Sequence, residues 1–142
     1  MDNLTFERLL EDIDNVDEAA IDKGLAKLGD EIINMAHSLA KSLHLDHATG
    51  EKVSAAVLAQ SMKNAGLRNM ARPRAKTHDI ADSAEAIIAY SFLKRLISLD
   101  EMTEILIQGF NTYPNEPETR RERRERSIKG HTRLLIEIKN RL

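Results

Sequence analysis

The 142-residue chain has no cysteine, so it can form no disulfide, use no thiol nucleophile and bind no Cys-ligated zinc. Aromatic residues make up only 4% of the chain, so its core must be built from Leu, Ile, Ala and Met. No apolar run is long enough for a signal peptide or a membrane span. These absences predict a cytoplasmic protein with no membrane partner.

The chain as a whole has no large excess of positive or negative charge, but its two parts differ in net charge. Residues 1–115 contain 12 basic and 18 acidic residues, whereas residues 116–142 contain 9 and 5. We expect one helical domain over 1–115 and a basic C-terminal helix over 116–142 that packs on it. Five arginines of that helix can bind phosphates or simply pair with interleaved glutamates, and we take pairing as the simpler interpretation: Arg120, Arg121, Arg123, Arg124 and Arg126.

Apolar residues recur at steps of three and four along most of the chain, which predicts an all-α fold. The expected helices cover about 3–13, 16–43, 51–65, 79–97, 98–109 and 118–142, with a turn at 112–117 and a candidate break at Gly130. A Ser98–Glu101 capping box marks the start of the fifth helix. The longest expected helix, over 16–43, has its main apolar stripe at Leu25, Leu28, Ile32, Met35, Ala36, Leu39 and Leu43.

Asp30 lies off the main stripe of that helix, because it follows Leu28 by two residues, or about 200° of rotation. Gly29 beside it has no side chain and lets another helix approach closely. A carboxylate next to a small residue on such a helix is a candidate ligand. Its neighbours on its own face are Ala26, Ile33, Asn34 and His37.

The fourth helix carries two acids three residues apart, Asp82 and Glu85, which therefore share a face. Asp82 has an ordinary explanation, since an acid in a helix's first turn stabilises the dipole. Glu85 lies among small and apolar residues such as Ala81 and Ala89, where burial is costly unless the carboxylate is paired or binds a cation. Glu85 is therefore the more informative of the two.

A basic loop precedes this acidic pair. It runs from Leu67 to Asp79, is held extended by Pro73, and contains no acid before Asp79. The loop can contact phosphates or merely offset the charge of an acidic body, and the sequence leaves both interpretations open. Its candidate phosphate-contacting residues are Arg68, Arg72, Arg74 and Lys76.

Taken together, Leu28-Gly29-Asp30 and Asp82-Ser83-Ala84-Glu85-Ala86 make the chain resemble the ribonuclease III catalytic domain. In that family one helix carries Leu-Gly-Asp, and a later helix carries Asp-x-x-Glu followed by small residues. The resemblance covers about residues 15–110, and the short length is similar to that of stand-alone, archaeal-type members.

The resemblance implies an all-α homodimer that hydrolyses double-stranded or structured RNA during RNA processing. It implies that Asp30, Asp82 and Glu85 are the catalytic and metal-binding residues and that Mg²⁺ or Mn²⁺ is the cofactor. Hard oxygen ligands suit these cations. The expected products carry a 5′-phosphate and a 3′-hydroxyl.

Ala26 departs from the family pattern, because the family usually has a glutamate four residues before the aspartate. Asn34, Glu31 or water would have to replace it. No double-stranded-RNA-binding domain is expected after the catalytic region, so affinity must come from the dimer surface and the basic loop. The alternatives are a catalytically reduced RNA-binding or ribosome-associated protein, which Ala26 favours, and a helical dimerisation module unrelated to RNA.

Overall fold

The computed structural model describes residues 5–113 and 116–142, and every regular element within them is helical. The all-α prediction is therefore confirmed. None of these helices is both long and apolar enough to cross a membrane. Two short 3-10 turns, Phe6–Leu10 and Arg68–Met70, accompany six α-helices: α1 (Val16–Ala19), α2 (Lys23–Leu45), α3 (Ala55–Asn64), α4 (Thr77–Leu93), α5 (Leu99–Asn111) and α6 (Arg120–Arg141).

Helix caps explain most differences from the expected boundaries. The helix expected over 16–43 is divided, because Asp22 caps α2 by accepting a hydrogen bond from the Leu25 amide at 2.8 Å. Ser54 similarly caps α3 and delays its start to Ala55. The expected helix at 3–13 begins outside the described residues and is otherwise only a 3-10 turn. The turn at 112–117 includes residues 114 and 115, which also lie outside them.

The capping box of α5 is confirmed. The Glu101 amide donates to the Ser98 hydroxyl at 3.1 Å, and the Ser98 amide donates to the Glu101 carboxylate at 3.1 Å. The candidate break at Gly130 is wrong, because α6 continues through it without interruption. Gly130 instead serves packing, since a Cβ on Gly109 of α5 would meet its backbone. The two glycines therefore let α5 and α6 touch at their backbones.

Helix α4 forms the centre of the core. Its middle residues, including Ala84, Ile87 and Ile88, are fully buried, as expected of a helix that is apolar nearly all round. Helices α2 and α3 pack directly against it. Helix α6 covers α3 and α5 and contributes Leu134 and Ile138 to the same core.

Helix α2 packs through a different face from the one with the largest apolar side chains. Its fully buried residues include Ile33, Ala36 and Ala40, on the side that faces the core. Met35, Leu39 and Leu43 of the expected stripe are 54%, 38% and 62% exposed. The expected packing face is therefore wrong along this part of α2, because the small side chains allow neighbouring helices to approach more closely.

Candidate active site

A cleft of about 330 Å³ between α2 and α4 is lined by the three acids singled out in the sequence: Asp30, Asp82 and Glu85. Asp30 comes from α2, and the other two come from α4. The two motifs, about fifty residues apart in sequence, thus share one concave site. The cleft is also lined by Lys23, Ala26, Lys27, Val53, Ala55, Leu58, His78 and Ala81.

Gly29 brings the two carboxylate-bearing helices together. A Cβ at this position would overlap the backbone carbonyl of Glu85, so α2 and α4 are in direct contact here. Asp30 follows Gly29 in the chain, and its carboxylate consequently lies within hydrogen-bonding reach of Glu85. The same close approach therefore sets the helix spacing and the spacing of the acids.

Glu85 is only 8% exposed and carries the most perturbed carboxyl group of the cleft. Burial, first of all, raises its pKa to about 8, and the neighbouring Asp30 and Asp82 add to the shift. At neutral pH Glu85 therefore keeps its proton and donates a hydrogen bond to Asp30. At neutral pH, a cation between the three carboxyl groups would favour their ionising together.

Asn34 holds Asp30 in place rather than replacing the missing glutamate. Its Nδ2 donates to Asp30 Oδ1 at 3.0 Å, and its Oδ1 accepts from the Val53 amide at 2.8 Å. The side-chain carbonyl of Asn34 is thus already used. Glu31, the other candidate, is exposed and does not line the cleft. Glu31 therefore does not replace the carboxylate that Ala26 lacks, and Asn34 already accepts one hydrogen bond through its side-chain oxygen.

Lys23 is a cleft residue that the sequence interpretation missed. Its Nζ lies 3.2 Å from Asp82 Oδ2, with the lysine and aspartate side chains 72% and 41% exposed. Helical spacing offered a signal, since Lys23 and Lys27 lie seven and three residues before Asp30 on α2. His78, also missed, lies four residues before Asp82 on α4.

The basic loop, residues 67–79, approaches the acidic cleft at Arg72. Arg72 forms an ion pair with Asp79 at 2.8 Å and lines a second cavity of about 240 Å³. That cavity shares Lys23, Ala26 and Asp82 with the first. Elsewhere in the loop, Arg68 donates to the Ala75 carbonyl at 3.2 Å, and Arg74 and Lys76 are exposed.

The donor chemistry of the cleft suits a hard divalent cation, because all three acids offer carboxylate oxygens. As the side chains stand, no group of three or more His, Asp or Glu within residues 5–113 and 116–142 is arranged to hold a metal ion. Glu85 shares its proton with Asp30, and Asp82 is paired with Lys23. Metal binding by all three acids would therefore require Glu85 to release its proton and would compete with Lys23 for Asp82.

The same helices identify the family. A sequence profile described as Ribonuclease III matches residues 23–142, which include both carboxylate-bearing helices. The match begins at the first residue of α2 and reaches beyond the expected range of 15–110 to include α6. A search of curated protein sequences gives no significant match. With its all-helical fold and a profile match over most of its length, the chain belongs to the ribonuclease III family.

Proposed function

We propose that the protein is a metal-dependent endoribonuclease that cleaves double-stranded or structured RNA during RNA processing in the cytoplasm. The observation that carries the proposal is the common cleft of Asp30, Asp82 and Glu85 between α2 and α4. Family membership makes ribonuclease chemistry the natural use of such a cleft. Buried, mutually interacting carboxyl groups are also typical of functional sites.

The proposed reaction is hydrolysis of a phosphodiester bond. Water adds its hydroxyl group to phosphorus, the bond from phosphorus to the 3′ oxygen breaks, and that oxygen gains a proton. One product has a 5′-phosphate and the other a 3′-hydroxyl. Mg²⁺ or Mn²⁺, held by the three carboxylates, would activate the water and neutralise charge on the phosphate. Asn34 keeps the Asp30 carboxylate oriented for this task through its 3.0 Å hydrogen bond.

The basic loop is proposed to bind the RNA backbone. Its side chains Arg72 and Arg74 are exposed, and Arg72 lies beside the cavity that adjoins the acids. Duplex RNA is recognised mainly through its shape, phosphates and 2′-hydroxyls, which suits flexible basic side chains. The proposed contacts therefore provide affinity without base specificity. The proposed RNA-binding set is Arg68, Arg72, Arg74 and Lys76.

The direct test incubates the protein with end-labelled duplex RNA in Mg²⁺, Mn²⁺ or EDTA. We expect fragments with 5′-phosphates in either metal and none in EDTA. A single strand of the same sequence serves as the control and should remain largely uncut. Intact duplex in both metals would contradict the nuclease proposal.

A second candidate function, RNA binding without cleavage, is favoured by one observation. Ala26 supplies no carboxylate, and the described residues contain no arranged group of three metal ligands. RNA binding that is independent of metal and produces no fragments would support this candidate. If the protein binds no RNA even at low salt, a dimerisation module unrelated to RNA becomes the better explanation.

We also propose that a second copy of the chain packs on the exposed apolar stripe of α2. The stripe continues along one side of the helix for about 22 Å, at a rise of about 1.5 Å per residue. Apolar surface of this continuity usually marks an interaction site. A homodimer would bury it and would bring two acidic clefts into one particle. The stripe consists of the exposed Met35, Leu39 and Leu43 and of Leu28 and Ile32, which are half-buried and also pack against the core.

Leu39→Lys is expected to weaken this dimer roughly tenfold or more, because a charged group would have to be buried in the apolar interface. Light scattering over a range of concentrations measures the effect. Ile136→Lys on α6 is the matched control, since Ile136 is 42% exposed and lies off the stripe. A wild-type protein that stays at 16.0 kDa, or a Leu39→Lys variant that stays dimeric, would argue against this interface.

A further inference from the structure

Lys23 occupies the side of the cleft where the family's additional glutamate would project. We propose that Lys23 binds the scissile phosphate of the RNA and supplies there the positive charge that a second metal ion supplies in two-metal nucleases. This inference rests on the proposed nuclease function and adds a catalytic residue to it. Its starting observation is the 3.2 Å contact between Lys23 Nζ and Asp82 Oδ2 across Ala26.

The geometry of α2 directs Lys23 into this space. Lys23, Ala26 and Asp30 lie at positions i, i+3 and i+7 of the helix and therefore share one line. Helical side chains lean toward the N-terminus of their helix, so the space in front of Ala26 opens toward Lys23. Both cavities beside the acids are lined by Lys23 and Ala26. A flexible lysine stem can therefore reach either one.

Helix stability does not explain a lysine at this position. Lys23 is the first residue of α2, where the helix dipole disfavours a positive charge, and the capping carboxylate of Asp22 offsets this only in part. Lys27, four residues later, adds like-charge repulsion. The ion pair with Asp82 is too exposed to contribute much. The lysine is therefore better explained by what it can bind in the cleft.

The charges of the cleft suit one divalent cation together with Lys23. When ionised, Asp30, Asp82 and Glu85 carry three negative charges, which the two lysines of the cleft, Lys23 and Lys27, do not fully offset, so a divalent cation is still favoured. Ala26 leaves no further carboxylate to hold another cation. Once a cation takes the Asp82 oxygen, the ammonium group is free to bind a phosphate oxygen. Lys23 then stabilises the charge that develops on the phosphate during attack.

The test compares Lys23→Gln with Lys63→Gln, which changes an exposed lysine of α3 that lines neither cavity beside the acids. With duplex RNA and saturating Mg²⁺, kcat of Lys23→Gln should fall roughly 100-fold, while Lys63→Gln should stay within about threefold of wild type. Lys23→Arg should recover part of the loss. In the absence of RNA, Mn²⁺ affinity measured by electron paramagnetic resonance should rise in Lys23→Gln, because a positive charge beside Asp82 is gone.

A phosphate-binding lysine differs from a simple ion pair in that Lys23→Gln should lower kcat while it raises the affinity for Mn²⁺. If Lys23 only covers Asp82, Lys23→Gln will bind Mn²⁺ more tightly and cleave at least as fast as wild type, which overturns the inference. Glu85→Gln is the reference for the function itself. If Lys23→Gln cleaves as fast as wild type while Glu85→Gln does not cleave, only the Lys23 role is refuted. An inactive wild type refutes the proposed nuclease, and the Lys23 role with it.

Discussion

Glu85→Gln should reduce RNA cleavage roughly 1000-fold or more while leaving RNA binding intact. Glutamine cannot become an anion, so the cleft loses one metal ligand. It does, however, resemble the protonated Glu85 that the structure indicates, and its amide can still donate to Asp30. The variant should therefore keep the fold and the RNA-binding surface. Initial cleavage rates in Mg²⁺ and Mn²⁺, together with gel-shift binding in EDTA, measure the two properties separately.

Two further variants complete this experiment. Asp30→Asn should behave like Glu85→Gln, since it removes the charge of the α2 ligand. Glu31→Gln is the matched control, because Glu31 is the next residue along α2 but is exposed and outside the cleft. If Glu85→Gln and Asp30→Asn both retain cleavage, the assignment of the catalytic and metal-binding residues is wrong.

Glu85→Gln should also change how the stability of the protein depends on pH. In EDTA, the pKa of Glu85 is about 8 in the folded protein but near 4.5 in the unfolded chain. The unfolded state therefore binds fewer protons between these values, and this carboxyl group makes the free energy of unfolding fall as pH rises from 4.5 to 8. Glu85→Gln should remove this contribution and be more stable than wild type at pH 8 by on the order of 2 kcal/mol. Thermal melts at several pH values would reveal it.

Gly29→Ala should destabilise the protein by about 3 kcal/mol or more. The added methyl group would overlap the backbone carbonyl of Glu85, and a backbone atom inside α4 cannot move aside as a side chain can. Relief requires α2 and α4 to separate, which would also part Asp30 from Glu85. Denaturant unfolding followed by circular dichroism measures the loss.

Gly50→Ala provides the comparison for Gly29→Ala. The nearest atom to a Cβ at Gly50 is Ser38 Oγ at 3.9 Å, an ordinary contact, so this change should alter stability by no more than about 0.5 kcal/mol. A Gly29→Ala variant that unfolds at the wild-type denaturant concentration would show that Gly29 does not set the helix spacing.

Local information singled out Asp30 and Glu85 as separate candidate ligands, because each lies beside small residues on a helix, where a buried carboxylate needs a partner. Their sharing of one cleft was expected from the resemblance to the ribonuclease III family, which combines the two motifs. The start of α5 was equally accessible from the Ser98–Glu101 capping box, whereas the capped starts of α2 and α3 were not recognised. These features depend on a few neighbouring residues, which the sequence displays directly.

The buried face of α2 could not be predicted from the sequence in the same way. Met35, Leu39 and Leu43 are larger and more apolar than Ala36 and Ala40, so periodicity alone favours the wrong side. The outcome depends on the close fit of small side chains against other helices, which is a property of the partner surface.

Lys23 escaped notice for a related reason. A lysine in the first turn of a helix ordinarily faces solvent, and its helical spacing from Asp30 was the one hint to the contrary that the candidate site offered. Its contact with Asp82 joins residues 59 positions apart, so it arises only when α2 and α4 pack.

Helix α6 has a consequence for experiments on its arginines. Leu134, Leu135 and Ile138 are completely enclosed, and they cover Met102 and Leu106 of α5, which have no exposed surface either. Truncation after α5 would remove the arginines but would also expose this apolar core to water and promote aggregation. Point substitution at Arg120 and Arg123, with the helix left whole, is therefore the informative route to their role.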